Sequence, residues 1–128
     1  MSGETFKNKA DLQFAIMRAA EKATEEVRKT MEKHLAVSDE LWRLTNDAIK
    51  AGLGVCLPSM RWVTYPAIVI TAETDEDEVI GQRVIEEWAV AAGGAIETSV
   101  RESKSAVFDA RMPDKGRIVV TLTREILE

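Results

Sequence analysis

The sequence is poor in the residues from which disulfides and metal sites are built. It has one cysteine, Cys56, and one histidine, His34, among 128 residues. A single cysteine cannot form a disulfide within the chain, and zinc sites draw three or four His, Cys or carboxylate ligands from recognisable spacings. The composition therefore argues against a disulfide framework and against a zinc centre, and we expect no cofactor.

Long apolar runs are also absent. No run approaches the roughly 20 consecutive apolar residues that a membrane-spanning helix needs, and residues 1–7 lack the apolar core of a secretory signal. We therefore expect no membrane segment and a location in the cytoplasm, or in the host cytoplasm if the protein is viral. The hydrophobic content of 45% and the charged content of 30% are typical of one globular domain spanning residues 1–128.

Positive charge is scarce in the middle of a chain whose net charge is −5. Residues 61–94 hold two Lys or Arg against seven Asp or Glu, whereas the two flanking regions are balanced. Binding to a nucleic-acid backbone normally requires a basic face. Six basic residues follow residue 94 and could gather on a sheet, but Phe108 is the only aromatic residue there to stack on bases. Nucleic-acid binding is therefore disfavoured.

The strongest periodic signal covers residues 8–35. Asn8 suits an N-cap, and an unbroken helix of this length would extend about 40 Å at 1.5 Å per residue. The apolar side of such a helix is larger than a short second helix and a modest sheet can cover. The Ala-rich face of the long helix is therefore predicted to contact another subunit. The apolar residues at intervals of three and four are Leu12, Ile16, Ala19, Ala20, Ala23, Val27, Met31 and Leu35.

The rest of the chain predicts one more helix, a strand and a crossover helix. Ser38 begins a helix that ends near residue 51, and the short link before it predicts an antiparallel helical hairpin. Residues 61–72 are rich in β-branched and aromatic side chains and predict a central strand, with regular pairing delayed until after Pro66. Thr74 caps the next helix, which ends at Gly93.

Three antiparallel strands complete the prediction, in residues 96–101, 106–111 and 118–123. The predicted fold is α+β, with an N-terminal helical hairpin that has a long first helix, followed by a four-stranded mixed sheet with one crossover helix, in the order ααβαβββ. The helix followed by Tyr65-Pro-Ala-Ile-Val-Ile70 resembles phage tail-terminator proteins, which implies a viral structural role. Only one predicted strand precedes the next helix, a departure on which we assign no family.

Three short features invite a chemical interpretation. The acidic run, residues 73–78, could bind Mg²⁺ or Ca²⁺, although acidic residues also favour a helix's first turn and the glycine of a calcium loop is missing. His34 lies near a predicted helix end, where the dipole favours a protonated imidazole. Cys56 lies between two apolar residues and is expected to be a small buried hydrophobe. We assign no catalytic or metal-binding residue.

The leading hypothesis is a non-catalytic, oligomerising protein that associates with itself or with another protein, such as a viral structural component or a small inhibitor. Trp42, Trp62 and Trp88 are expected to meet in the core, whereas an exposed Trp62 would anchor a partner. One alternative is a small-molecule or divalent-cation-dependent enzyme or binding domain that uses the acidic run with Arg or Lys from the sheet. A second is nucleic-acid binding through the C-terminal sheet. The predicted interface consists of Ile16, Ala19, Ala20, Ala23, Val27, Met31 and Trp62.

Overall fold

The computed structural model describes residues 6–20 and 24–124. Within these residues the chain forms one mixed five-stranded sheet in the order β1-β2-β5-β4-β3 and four helices, none of which is long and apolar enough to cross a membrane. The α+β class is confirmed. The elements are α1 (Lys9–Ala19), α2 (Glu25–Ala36), α3 (Ser38–Lys50), β1 (Gly54–Cys56), β2 (Ala67–Thr71), α4 (Asp75–Ala91), β3 (Ala95–Glu102), β4 (Ser105–Met112) and β5 (Gly116–Thr123).

Two helices stand where one long helix was predicted. α1 ends at the C-cap Ala20, and α2 begins after Thr24, whose hydroxyl accepts a hydrogen bond from the Val27 N–H at 3.3 Å. The prediction of an unbroken helix over residues 8–35 is wrong because Thr24 caps a new helix. Each shorter helix can turn its own apolar face toward the core, and Leu12 and Ile16 are fully buried there. The apolar face that was predicted for one long helix over residues 8–35 is therefore divided between α1 and α2.

The strand β1 was not predicted, and it brings the strand number to five. It pairs antiparallel with β2, so two strands precede α4 where the sequence indicated one. β2 begins directly after Pro66, as expected for a residue that has no N–H to donate. β2 lies between β1 and β5, next to the edge strand, and all five of its residues are buried, as expected for an interior strand that is covered on both faces.

The helix α4 carries the chain from β2 across to the three-strand meander. β2 pairs in parallel with β5, and the other pairs in the sheet are antiparallel. The core lies between the helices and one face of the sheet, where Trp88 of α4 joins Phe108 of β4 and Val120 of β5. The pairing of β3 with β4 shifts register between Ile96 and Thr98. The connection that precedes β2 and the connection that follows it therefore lie at opposite ends of the sheet.

Gly94, in the turn between α4 and β3, provides a test of how closely this turn approaches β4. A Cβ atom at Gly94 would collide with the carbonyl oxygen of Arg111, so Gly94→Ala forces two backbones apart. We expect this variant to lower the free energy of unfolding by about 1–3 kcal/mol, measured by urea unfolding.

Gly81→Ala is the matched control for this prediction. Its Cβ would lie 2.7 Å from the Leu122 Cδ1, the far end of a flexible side chain that can turn aside. Alanine also gains roughly 1 kcal/mol of helix propensity over glycine inside α4. We expect a smaller loss than for Gly94→Ala, and equal losses in the two variants would contradict the collision.

Candidate protein-binding surface

The loop between β1 and β2, residues 57–66, is fixed against the body of the protein; we call it the Trp62 loop. Met60 is buried in the core and anchors its middle. Around it the chain makes a tight turn, in which the Trp62 N–H donates to the Ser59 carbonyl at 3.1 Å and the Arg61 N–H reaches the Ser59 hydroxyl at 3.4 Å. The loop therefore presents its exposed side chains from a defined backbone.

The helix α2 holds the second half of the Trp62 loop. The Lys33 Nζ donates to the Thr64 carbonyl at 3.3 Å, and the Ala67 N–H, at the start of β2, donates to the His34 Nε2 at 3.0 Å. The other ring nitrogen of His34, Nδ1, lies 2.8 Å from the Thr30 carbonyl. A carbonyl only accepts, so Nδ1 carries the proton and Nε2 keeps a lone pair. His34 is therefore a neutral structural link.

Burial controls the charge of this histidine. The His34 side chain is completely buried, and desolvation lowers its pKa below the ordinary value of 6.5 although the Thr30 contact acts in the opposite direction. The expectation of a protonated imidazole favoured by the helix dipole is wrong, because the ring points into the protein. At neutral pH the imidazole is uncharged and accepts the Ala67 hydrogen bond.

Trp62 stands out from the fixed loop, with 84% of its surface exposed. Trp88 is in the core and donates its Nε1–H to the Glu40 carbonyl at 3.0 Å, while Trp42 is half-buried. The three tryptophans therefore do not meet in the core, because Met60 is the residue of the turn that points inward. Tryptophan is among the residues that contribute most to protein interfaces, so its exposed position on a fixed loop marks a candidate contact surface.

A groove of about 680 Å³ lies between α2 and the Trp62 loop; we call it the basic groove. Lys29, Lys33 and Arg61 contribute three positive charges to its lining, against one carboxylate, Glu26. Val27 and Met60 supply apolar lining. In a chain whose net charge is −5, this groove is a local concentration of positive charge.

A second groove, of about 570 Å³, continues the surface on the other side of Lys33. The guanidinium carbon of Arg117 lies 4.7 Å from the centre of the Tyr65 ring, and its Nε donates to Asp109 at 2.6 Å. Such stacking of a cation on an aromatic ring holds both side chains in place. We define the Trp62 surface as Trp62, Tyr65 and the three cationic residues of the basic groove.

The predicted interface residues are dispersed by the fold. Ile16, Ala20 and Val27 are buried in the chain's own core, and Met31 is partly buried against it. Ala19 and Trp62 are exposed, and Ala23 lies outside the described residues. The assignment of this set to an interface stays a prediction, and Trp62 is its member with the largest exposed side chain.

The acidic run lies at the carboxyl end of β2 and in the first turn of α4. Arg124 donates to Asp75 at 2.7 Å and to Glu78 at 3.3 Å, and Arg101 donates to Glu78 at 2.8 Å. The fold thus brings sheet arginines to this run, but they neutralise two of its carboxylates. Among residues 6–20 and 24–124, no group of three or more His, Cys, Asp or Glu could hold a metal ion.

Basic residues of the meander are bonded to carboxylates of different elements. Arg111 donates to Glu97 at 3.0 Å, and Lys115 donates to Glu40 at 2.8 Å. Pairing of this kind leaves less positive charge for a phosphate backbone. Nucleic-acid binding through the C-terminal sheet stays a prediction. Cys56 is buried, as its apolar neighbours indicated.

Sequence reasoning missed the basic groove. Lys29 and Lys33 are four residues apart and share one side of a helix, which the sequence shows. Arg61 joins them only because the Trp62 loop folds back on α2, which no local pattern indicates.

Comparison of the chain with protein-family models, with curated proteins and with solved structures finds no match.

The buried His34 predicts a loss of stability in mild acid. Its folded-state pKa is lower than its unfolded-state pKa of about 6.5, so the unfolded chain binds a proton first as the pH falls. The free energy of unfolding is therefore highest above a pH of about 6.5. Below that pH it falls, by at most about 1.4 kcal/mol per pH unit for one proton. Urea unfolding at pH 7.5 and at pH 5.5 measures the difference.

His34→Gln is the control, since its amide oxygen can still accept from the Ala67 N–H but does not titrate. His34 is the chain's one histidine, so the variant should lose most of the dependence over this pH range. An equal decline in both proteins would show that another group is responsible.

The ion pairs of the acidic run predict indifference to divalent cations. Because Asp75 and Glu78 already bond to arginine side chains, a cation would have to displace these arginines from the carboxylates. We expect millimolar Mg²⁺ or Ca²⁺ to leave the melting temperature unchanged, as measured by thermal unfolding monitored by circular dichroism. A stabilisation that saturates with cation concentration would instead support the cation-dependent alternative.

Proposed function

We propose that the protein is a non-catalytic assembly protein that associates with further copies of itself through the Trp62 surface. The observation that carries this proposal is the 84% exposure of Trp62 on a loop that Met60, Lys33 and His34 hold in place. An indole side chain buries a large area on association. A loop that is already held in place loses little conformational entropy on binding. More of the free energy gained by burying the indole then appears as affinity.

The ionisable groups beside the Trp62 surface support binding over catalysis. Both ring nitrogens of His34 are engaged by backbone groups, and Asp109 is bonded to Arg117. These groups hold α2, β2 and the meander together. Their occupation by structural contacts favours a role in which the surface is kept in shape for a partner.

A second candidate function rests on a groove of about 450 Å³ at the acidic run. Charged groups of both signs converge there, including Asp75, Glu78, Arg101 and Arg124. This arrangement favours a small-molecule or divalent-cation-dependent enzyme or binding domain, the alternative indicated by the sequence. It ranks second because a ligand would have to break ion pairs that the fold already contains.

Replacement of Trp62 tests the leading proposal. The wild-type mass, measured by light scattering during size-exclusion chromatography, should rise above the 14.2 kDa of one chain as concentration increases. Trp62→Ala should weaken the association by about 30-fold, the effect of an interface residue worth roughly 2 kcal/mol. The tryptophan emission of the wild type should also move to shorter wavelength as Trp62 leaves water.

Val90→Ala is the matched control, because Val90 on α4 is 72% exposed and lies outside the Trp62 surface. This variant should associate like the wild type. A monomer mass at every concentration, or equal association of Trp62→Ala and the wild type, would refute the proposal.

A further inference from the structure

The two ends of β2 carry different surfaces. The Trp62 loop precedes Ala67 and the acidic run follows Thr71, and β1 pairs Cys56 with Val69 and Gly54 with Thr71. This antiparallel pairing places the Trp62 loop at the amino end of β2. At roughly 3.3 Å per residue, the five residues of β2 separate the two ends by about 17 Å.

In the part of the chain that the structure describes, the amino end combines positive charges that form no ion pair with an exposed aromatic ring. Lys29 and Arg61 are exposed and make no ion pair with another residue in the described ranges. Lys33 bonds to the Thr64 carbonyl, a neutral group, so its charge is not compensated by that contact. Trp62 lies in the same loop as Arg61. This end therefore suits a partner that offers carboxylates beside an apolar side chain.

The carboxyl end offers that combination. Glu73 and Glu76 are exposed and form no ion pair among the residues that the structure describes, in contrast to Asp75. Val79 is 69% exposed, and it shares one side of α4 with Glu76 because the two are three residues apart. Carboxylates and an exposed apolar side chain thus occur together at the end of β2 opposite to Trp62.

We propose that copies of the chain associate head to tail, with the Trp62 surface of one copy receiving the acidic run and Val79 of the next. This arrangement rests on the proposed function and names the occupant of its surface. Trp62 packs against Val79, while Glu73 and Glu76 face Lys29 and Arg61. A symmetric contact between two basic grooves would instead bring like charges together.

A head-to-tail contact has a consequence for the size of the assembly. It joins different surfaces of the two copies and leaves one surface of each kind unused, so copies continue to add until a ring closes or a filament forms. The mass therefore passes beyond two copies. The association also weakens as salt screens the exposed charges.

Charge reversal at each end tests the arrangement. Lys29→Glu with Arg61→Glu makes both ends acidic, and Glu73→Lys with Glu76→Lys makes both ends basic. Each double variant alone should keep the 14.2 kDa mass at concentrations where the wild type associates. An equimolar mixture should regain a mass of two copies or more, which also shows that both variants are folded.

Charge reversals on α3 provide the control. Arg43 and Asp47 are exposed there and line neither the basic groove nor the groove at the acidic run. Arg43→Glu and Asp47→Lys should each associate like the wild type.

Two outcomes separate this inference from the proposed function. If Trp62→Ala weakens association but the charge-reversed variants still associate alone, or if the mass stops at two copies, the head-to-tail arrangement is wrong and the Trp62-dependent association stands. If the wild type stays at the mass of one chain, both are wrong.

Discussion

The hydrogen bond from the Ala67 N–H to the His34 Nε2 joins the N-terminal helices to the sheet at the first residue of β2. Pro66 has no N–H, so Ala67 supplies the first backbone donor after the Trp62 loop. On the other side the Val119 N–H donates to the Pro66 carbonyl at 2.9 Å, which holds the same point against β5. These two contacts tie the end of the Trp62 loop to β5 and to α2, the helix that forms one side of the basic groove.

Charged side chains play two roles in this fold. Lys115 with Glu40 and Arg124 with Asp75 connect the sheet to helices α3 and α4, over separations of 75 and 49 residues in the chain. Each pair has one partner that water reaches, Lys115 or Asp75, so it contributes little stability by itself, but it orients the elements that it joins. Within residues 6–20 and 24–124, exposed side chains that form no such pair, for example Lys29 and Arg61, can interact with other molecules. The topology of the fold determines which charged residues form ion pairs, because residues that are distant in the chain must meet for a pair to form.

Much of the fold was predictable because local patterns and tertiary contacts agree. Thr74 caps α4, Pro66 sets the start of β2, and the alternation predicted for the last strand matches the burial of β5. The alternation predicted for residues 96–101 is wrong, because β3 is exposed along almost its whole length. The continuous apolar period through residues 8–35 masked the capping signal at Thr24, since both halves face the same core. β1 has only three residues, too few for a periodic pattern. The exposure of Trp62 depends on Met60 taking the inward position of the turn, which composition does not decide.

The edges of the sheet determine how this protein can avoid unwanted polymerisation. β1, at one edge, offers only three residues, and β3, at the other, has its ladder interrupted beside Glu97 by the register shift. Arg101 and Glu102 add charge to that edge. A strand that extended the described sheet would pair either with the three residues of β1 or with β3, whose ladder is interrupted once, and both features disfavour amyloid-like stacking. Contacts between copies that use side chains at the strand ends leave this protection intact.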